Sequence, residues 1–381
     1  MNAHIWFRKI LILNIFCFCA IASDAQIIEN TERYLDSLSD ANRFSGVILI
    51  ADSGIVKWKK TMGFRNLPAK PKIDENTMFE SASITKQFIA VSILQLRDKK
   101  MLSLEDSVTK FFNLQCLKGM TIKHLLSHTS GITDYEKLIN LNKDRTKVFF
   151  NKDVLDVFTF CQPPLDFKPG EKMEYSNTGY IFLAMIVEKV SKQPIKNYLK
   201  KRIFIPLQMK NTMAYNTRRQ TGKLPKNYAA GYIYDKRFGR LSLPDTVPYT
   251  KYVITFDGMI GDGNISTTVD DLLKWDQALY KTGILSKVSV DEMNTPFLLN
   301  SGVKGIVPGV NKHYGYGVFL ETDNKAGKVV SHGGSWPGYS TYLFRAIDQN
   351  KTFILLANVS LPYAVEKKLL NYLSLITLKS N

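Results

Sequence analysis

The sequence of 381 residues is poor in the residue types that build metal centres and disulfide frameworks. It contains four cysteines and five histidines, and none of them stands at the spacing of a zinc site or an HExxH motif. Cys17 and Cys19 lie in the extreme N-terminal segment, so Cys116 and Cys161 remain for at most one bridge. We therefore expect no metal, no cofactor and no disulfide framework.

Long apolar runs and internal repeats are also missing from the body of the chain. After the N-terminal segment no apolar run approaches the ~20 residues that a membrane span needs. No repeat of about 20–50 residues is present, which excludes solenoids and propellers. Glycine (23) and proline (14) occur in ordinary numbers, which excludes a collagen-like chain. What remains is a globular protein with one large core or two moderate ones.

The first 25 residues resemble a secretory signal peptide. Arg8 and Lys9 precede an apolar segment, and Ser23 and Ala25 are the small residues that a cleavage site requires. We expect a mature chain that begins at Gln26 and is exported to the periplasm or the medium. The alternative is an uncleaved anchor helix.

Basic residues outnumber acidic ones by 51 to 34. They are spread along the chain, and no nucleic-acid-binding motif accompanies them. We therefore expect a solvated basic surface and no nucleic-acid partner.

Hydrophobic periodicity predicts strands at both ends of the chain and helices between them. The predicted strands are 46–50, 55–59, 315–321, 327–332, 340–345 and 352–357. The predicted helices are 27–42, 79–96, 122–126, 152–160, 180–191, 195–205, 270–280 and 363–378. Strands joined by tight turns pair antiparallel, and their apolar faces need helices to cover them.

These elements indicate an α/β fold with a central antiparallel sheet, flanking helices and an inserted, mostly helical lobe. After the signal peptide, residues 1–25, we expect a sheet domain formed by residues 26–110 and 262–381. Residues 111–261 would form the lobe. A cleft between two such parts is a usual place for a ligand.

The tetrad Ser83-Ile84-Thr85-Lys86 opens an apolar helical stretch. On a helix, residues three apart share a face, with Cβ atoms about 5–6 Å apart. A serine hydroxyl needs a nearby base, and a lysine kept neutral by its surroundings can be that base. Two more S-x-x-K tetrads, Ser107/Lys110 and Ser301/Lys304, lie in polar surroundings where a lysine keeps its charge, so we favour Ser83 and Lys86.

Tyr175-Ser176-Asn177 is the second pattern of chemical interest. A phenol near a lysine ammonium can lose its proton, act as a base and return the proton to a leaving group. The amide of Asn177 can orient either the lysine or a substrate carbonyl. The alternative is a loop tyrosine that packs on the core.

His332-Gly333-Gly334-Ser335 is the third pattern. A strand leads into the two glycines, which let a substrate backbone approach closely. His313-Tyr314-Gly315 has the same H-x-G form, but only His332 lies on a β-rich run flanked by strands.

In this order and at this spacing, S-x-x-K, Y-x-N and H-x-G resemble the motifs of the penicillin-recognising serine hydrolases. The chain is similar in particular to the class C β-lactamase-like group, which includes D-alanyl-D-alanine carboxypeptidases, D-aminopeptidases and esterases. The resemblance extends from about Arg43 to Leu378, and the stretches 124–131, 261–272 and 315–317 support it.

The resemblance implies a role for each residue of the three motifs. Ser83 would be acylated, with Lys86 and Tyr175 sharing the general acid/base work. Asn177 would position the substrate, and the backbone N–H groups of Ser83 and Ser335 would form the oxyanion hole. His332 would replace the basic residue of the third motif, beside Gly333, Gly334 and Ser335 in the substrate site. The segment 128–131 would be a structural loop brace.

Class C β-lactamases have Lys-Thr-Gly where this chain has His332-Gly333-Gly334. Lysine is a permanent cation for a substrate carboxylate, whereas a histidine with a pKa of ~6.5 is mostly neutral at pH 7. We therefore expect an exported serine hydrolase that cleaves an ester, an amide or a D-amino-acid peptide. If His332 meets a carboxylate, such substrates should bind less well as pH rises through about 6–7.

Two alternatives remain open. One is a β-lactamase or D-alanyl-D-alanine carboxypeptidase, and the other is a non-catalytic sensor that is acylated without turnover. As partners we expect a small-molecule, peptide or ester substrate, with cell-wall fragments among the candidates. We also expect a monomer with no transmembrane span in the mature chain.

Overall fold

The computed structural model describes residues 26–41, 43–139, 147–214, 224–281, 283–324 and 326–379. The predicted signal peptide lies outside the described residues, as does the last residue of the helix predicted at 27–42. Within these ranges, none of the helices combines the length and the hydrophobicity that a membrane span requires. Cys116 and Cys161 are both free thiols.

The strands of the described ranges form one large sheet and two small ones. In chain order they are β1 (Gly46–Asp52), β2 (Ile55–Met62), β3 (Phe79–Glu80), β4 (Met213–Ala214), β5 (Ile233–Asp235), β6 (Arg240–Ser242), β7 (Ile265–Thr267), β8 (Ile306–Val307), β9 (Lys312–Tyr314), β10 (Phe319–Asn324), β11 (Gly327–Trp336), β12 (Tyr339–Ala346) and β13 (Lys351–Ala357). The large sheet is antiparallel, with the order β2-β1-β13-β12-β11-β10-β9-β8. This confirms the predicted central antiparallel sheet.

β1 and β13 bring the two ends of the chain together inside this sheet. They pair from Gly46↔Ala357 to Asp52↔Lys351. Alternate side chains of a strand point to opposite faces. Thus Val47 and Leu49 pack into the larger core, while Ile48 and Ile50 pack into a smaller core on the other face. A strand covered on both faces needs the continuous apolar run that β1 has.

Helices pack on both faces of the large sheet. In chain order they are α1 (26–40), α2 (Thr85–Asp98), α3 (Ile122–Leu126), α4 (Tyr135–Leu138), α5 (Asn151–Cys161), α6 (Asn177–Ser191), α7 (Ile195–Leu199), α8 (Val269–Lys281), α9 (Lys287–Met293) and α10 (Tyr363–Lys379). α1 and α10 cover the smaller core, which contains Leu35, Leu38, Leu369 and Leu373. α2, α6 and α8 contribute to the larger core. The predicted flanking helices are therefore confirmed.

The helix predicted at 79–96 begins later than expected. Phe79 pairs with Thr267 as part of β3, and a 3₁₀ turn, Ala82–Ile84, follows before α2 starts at Thr85. The strand pairing with β7 overrides the local helical pattern and anchors the segment just before Ser83.

Two other predicted elements have different bounds in the structure. The strand predicted at 315–321 begins only at Phe319, because Gly317 turns with a φ of +76° against α2. A Cβ there would lie 2.9 Å from the Lys86 carbonyl oxygen, so this close approach requires glycine. The helix predicted at 195–205 is α-helical only to Leu199 and continues as a π-helical segment, Lys200–Phe204.

Candidate active site

Ser83 lies in the 3₁₀ turn that precedes α2. Ala82 has a φ of +47°, which a non-glycine residue rarely adopts. The Ser81 amide and hydroxyl donate to the Ile265 carbonyl at 2.8 and 2.9 Å, and the Thr341 hydroxyl donates to the Ser81 carbonyl at 2.9 Å. Such strain costs about 1–3 kcal/mol and persists where the surrounding structure enforces it. These bonds therefore hold Ser83 in a fixed orientation.

Lys86 is fully buried and reaches back to Ser83. Its Nζ lies 3.0 Å from Ser83 Oγ, 2.8 Å from Asn177 Oδ1 and 3.2 Å from the Asp262 carbonyl oxygen. An ammonium has three N–H donors, and here each has an acceptor. The structure thus brings together Ser83, Lys86 and Asn177 from two of the predicted motifs.

The other two S-x-x-K tetrads form no comparable pair. Ser107 caps a 3₁₀ turn by accepting from the Thr109 amide, and Lys110 pairs with Asp106 on the surface at 2.9 Å. Ser301 and Lys304 are both exposed. Neither of these tetrads therefore forms a buried serine–lysine pair like that of Ser83 and Lys86.

Tyr175 is half-buried and packs beside the lysine. Lys86 Nζ lies 4.8 Å from the centroid of its ring, within the range of a cation–π contact. In the described part of the chain, its hydroxyl has no hydrogen-bond partner. Asn177 starts α6, where its backbone amide donates to Asp134 Oδ2 at 2.7 Å and its side-chain amide donates to Glu136 Oε1 at 3.4 Å.

His332 is placed differently from what the sequence suggested. It is 1% exposed, with Nε2 3.0 Å from the Tyr314 hydroxyl and Nδ1 2.6 Å from the Gly333 carbonyl oxygen. Burial, with Lys86 nearby, lowers the pKa of His332 to about 3. The sequence already indicated a ring that is mostly neutral at pH 7. What differs is the burial: both ring nitrogens are engaged, so the conditional contact between a protonated His332 and a substrate carboxylate does not fit this geometry.

Gly334 and Ser335 lie on β11 beside the turn that carries Ser83. A Cβ at Gly334 would meet the Thr341 hydroxyl and lie 2.5 Å from the Ser81 carbonyl oxygen. Glycine at 334 is therefore required by the protein's own packing, in addition to any approach of substrate. Ser83 and Ser335 line the same cavity.

Several side chains of this cavity were not singled out from the sequence. They are Glu80, Tyr135, Glu136, Phe256, Asp262 and Trp336. Tyr135 donates its hydroxyl to Asp262 Oδ2 at 2.8 Å. The sequence held one weak signal, since Asp262 lies in the stretch 261–272 that supported the family resemblance.

Carboxylates dominate the charge of the cavity lining. Desolvation raises the pKa of Glu136 to about 7, with Asp134 and Asp262 adding to the rise and Lys86 and Asn177 opposing it. Burial also raises the pKa of Asp262, against the effect of Lys86 and of the hydrogen bond from Tyr135.

The fold and this serine–lysine–tyrosine arrangement define a serine hydrolase of the class C β-lactamase-like group, and comparison with known proteins agrees. The Beta-lactamase family matches residues 31–375. Penicillin-binding protein 4* of Bacillus subtilis (strain 168) is 36% identical over 330 residues, which cover 87% of this chain and 71% of that protein. The chain belongs to the β-lactamase family.

Solved structures show the same fold. The octameric penicillin-binding protein homologue from Pyrococcus abyssi has a TM-score of 0.73 and 28% identity, covering 87% of this chain and 73% of that chain. D-amino acid amidase from Ochrobactrum anthropi SV3, complexed with D-phenylalanine, has a TM-score of 0.74 and 22% identity, covering 93% and 100%. These likenesses confirm the predicted fold class.

Proposed function

We propose that this chain hydrolyses an ester, amide or peptide bond through an acyl-enzyme on Ser83. The observation that carries the proposal is the 3.0 Å contact between Lys86 Nζ and Ser83 Oγ, at the edge of a cavity. A serine hydroxyl needs an adjacent group that accepts its proton, and a lysine beside it supplies such a group in its neutral form.

In the proposed reaction, Ser83 Oγ attacks the substrate carbonyl carbon and its proton passes to a base. Lys86 in its neutral amine form can accept that proton. While Lys86 is an ammonium it has no lone pair, and the Tyr175 phenolate that the ammonium stabilises accepts the proton instead. The backbone N–H groups of Ser83 and Ser335 would bind the oxyanion. The leaving group takes the proton, and water then cleaves the acyl ester on Ser83.

The charges of the cavity favour a substrate with a cation, rather than an anion, near the scissile bond. Glu136 and Asp262 line the cavity, whereas Lys86 already has three acceptors and His332 is buried. A substrate carboxylate would be repelled here, and an ammonium would be attracted. We therefore favour amino-acid amides, esters or peptides with a free amine over β-lactams and D-alanyl-D-alanine peptides.

Labelling with a fluorophosphonate tests the proposed nucleophile. The wild-type protein should be labelled on the peptide that contains Ser83, and Ser83→Ala should lose labelling and turnover while keeping its fold. Ser107→Ala and Ser301→Ala, the matched controls from the other tetrads, should be labelled like the wild type. An adduct on Ser107 or Ser301 would overturn the assignment, and an acylation burst without turnover would favour the sensor alternative.

We also propose that the protein is exported after cleavage before Gln26. The support is the basic, apolar and small-residue pattern of the first 25 residues. Expression in a Gram-negative host should give a periplasmic product whose N-terminal residue is Gln26. A membrane-associated product that retains Met1 would support the anchor alternative instead.

A further inference from the structure

His128 lies at the centre of a buried aromatic cluster beneath Lys86. The residue is 2% exposed, and its backbone has a φ of +58°. The ring centroid lies 4.2 Å from that of Tyr175 at an interplanar angle of 34°, and 5.1 and 4.6 Å from those of Tyr180 and Tyr314. His128 thus packs on the ring of Tyr175, the tyrosine that also contacts Lys86 Nζ.

The same residue binds the backbone on both sides of Tyr175. The Glu174 amide donates to the His128 carbonyl oxygen at 2.9 Å, and the Ser176 amide donates to His128 Nδ1 at 3.2 Å. Because Nδ1 accepts, the proton of the neutral ring is on Nε2. Burial, with Lys86 and His332 nearby, holds the pKa of His128 well below its usual range, which agrees with a neutral ring.

His128 Nε2 has no hydrogen-bond partner among the described residues. An unsatisfied buried donor costs about 1–3 kcal/mol. A phenylalanine would avoid this cost but would leave the Ser176 amide without its acceptor. An asparagine would keep an acceptor and tolerate the positive φ, but it would remove the ring that packs on Tyr175. Histidine alone of these three combines the acceptor with the flat ring.

Tyr175 needs such support because its hydroxyl has no hydrogen-bond partner in the described chain. Its orientation therefore depends on ring packing and on the backbone of residues 174–176. We propose that His128 is a positioning residue for Tyr175, holding the phenol in the orientation relative to Lys86 that proton transfer requires. The inference rests on the proposed function, which assigns proton transfer to Tyr175.

A double-mutant cycle tests this inference on the full-length enzyme with an ester substrate. His128→Asn should lower kcat about 10- to 100-fold with KM changed less than about threefold, because a small displacement of a reacting group has effects of this size. Tyr175→Phe alone should lower kcat by ~10²–10⁴. In the Tyr175→Phe background, His128→Asn should add less than about a threefold loss, since the phenol that it positions is already absent.

His128→Phe provides the second arm, because it keeps a buried ring and removes only the acceptor for Ser176. It should also lower kcat, and its effect should also vanish in the Tyr175→Phe background. His313 lies on β9, and its Nδ1 contacts the Gly305 carbonyl oxygen at 2.9 Å rather than the backbone around Tyr175. His313→Asn is therefore the matched control. It should leave kcat near the wild-type value. Thermal unfolding shows which variants are folded at the assay temperature.

Equal losses in both backgrounds would overturn the inference, because a merely structural histidine acts whether or not the phenol is present. A wild-type kcat for both His128 variants would also overturn it. If the single variant Tyr175→Phe keeps near-wild-type kcat, the proposed role of Tyr175 in proton transfer is wrong. This outcome needs no His128 variant, so it is distinguishable from failure of the inference about His128.

Discussion

Among single residues, Glu136 contributes a titratable carboxyl group to the cavity that Ser83 lines. Its pKa of about 7, raised by desolvation and then by Asp134 and Asp262, makes it half ionised at neutral pH. It also accepts from the side chain of Asn177, which in turn accepts from Lys86. A change at Glu136 is therefore expected to alter substrate preference more than the serine chemistry itself.

Glu136→Gln should weaken kcat/KM for an amino-acid amide with a free amine by about tenfold or more, because a charge-assisted contact is worth ~1.5–3 kcal/mol. The N-acetylated form of the same amide should change less than about threefold. In the wild type, KM for the amine substrate should fall as pH rises through about 7, where the carboxylate forms. This gain should end near pH ~8, where the amine loses its proton.

Glu105→Gln, a surface change in a residue paired with Lys123, serves as the control. It should leave both substrates unaffected. Equal losses for the amine and the N-acetylated substrate in Glu136→Gln would contradict charge recognition at this position.

At the scale of elements, the site depends on how closely β11 approaches the turn before α2. β11 pairs with β12 along 329–336, whereas its pairing with β10 ends at Ser331. The stretch 332–336 of β11 is therefore beyond the end of β10, and Gly334 packs there against Ser81 and Ala82. This contact sets the relative position of the Ser83 and Ser335 backbones.

Gly334→Ala should lower kcat by about 10- to 100-fold, because its Cβ would force the strand and the turn apart and misplace the oxyanion donors. Overpacking of this kind should also lower the free energy of unfolding by about 1–3 kcal/mol. Steady-state kinetics and urea unfolding measure the two effects. Gly333→Ala is the comparison, since its Cβ would point to the other face and lie 3.2 Å from the Tyr342 ring. A larger loss at Gly333 than at Gly334 would disprove this reading.

For the whole molecule, burial of neutral histidines links stability to pH. His332 has a pKa of about 3 in the folded protein, and the pKa of His128 is also held low, mainly by desolvation. Above pH ~6.5 both rings are neutral in the folded and unfolded states and contribute no pH dependence. Below it the unfolded chain binds protons that the folded protein excludes. Stability is therefore lost as pH falls from about 6.5.

Each such histidine should lower the free energy of unfolding by up to about 1.4 kcal/mol per pH unit below 6.5. Glu136 acts in the opposite direction, since its raised pKa favours proton uptake by the folded state. The comparison is therefore between wild type and His332→Asn, with urea unfolding measured from pH 6.5 to 4.5. The free energy of unfolding of the variant should fall less steeply with decreasing pH than that of the wild type. The difference in slope should correspond to at most one fewer proton taken up on unfolding. Identical slopes would contradict neutral burial of His332.

The division into a sheet domain and a helical lobe stays a prediction. The larger core contains Ile89 of α2, Phe182 of α6 and Leu343 of β12, which come from both of the predicted parts. Monomeric state is likewise a prediction that size-exclusion chromatography with light scattering can check.

The local elements and the chemical motifs follow from the amino-acid sequence alone. Hydrophobic periodicity over a few neighbouring residues predicts several elements correctly. Examples are the hairpin of β1 and β2, strands β11–β13 and helix α3. The S-x-x-K spacing likewise brings Ser83 and Lys86 together on adjoining turns. Signals of this kind are readable because a period of 2 or 3.6 residues is set within one element.

The groups that surround this pair come from distant parts of the chain and depend on the tertiary fold. Lys86 meets Asn177 from 91 positions away and the Asp262 carbonyl from 176 positions away. The burial of His332, the approach of Gly334 to Ser81 and the carboxylates of Glu136 and Asp262 in one cavity also depend on such distant contacts. No local pattern encodes them, because each depends on where the whole sheet and its covering helices place two separate segments. The environment of the ionisable side chains is therefore set at the level of the folded chain.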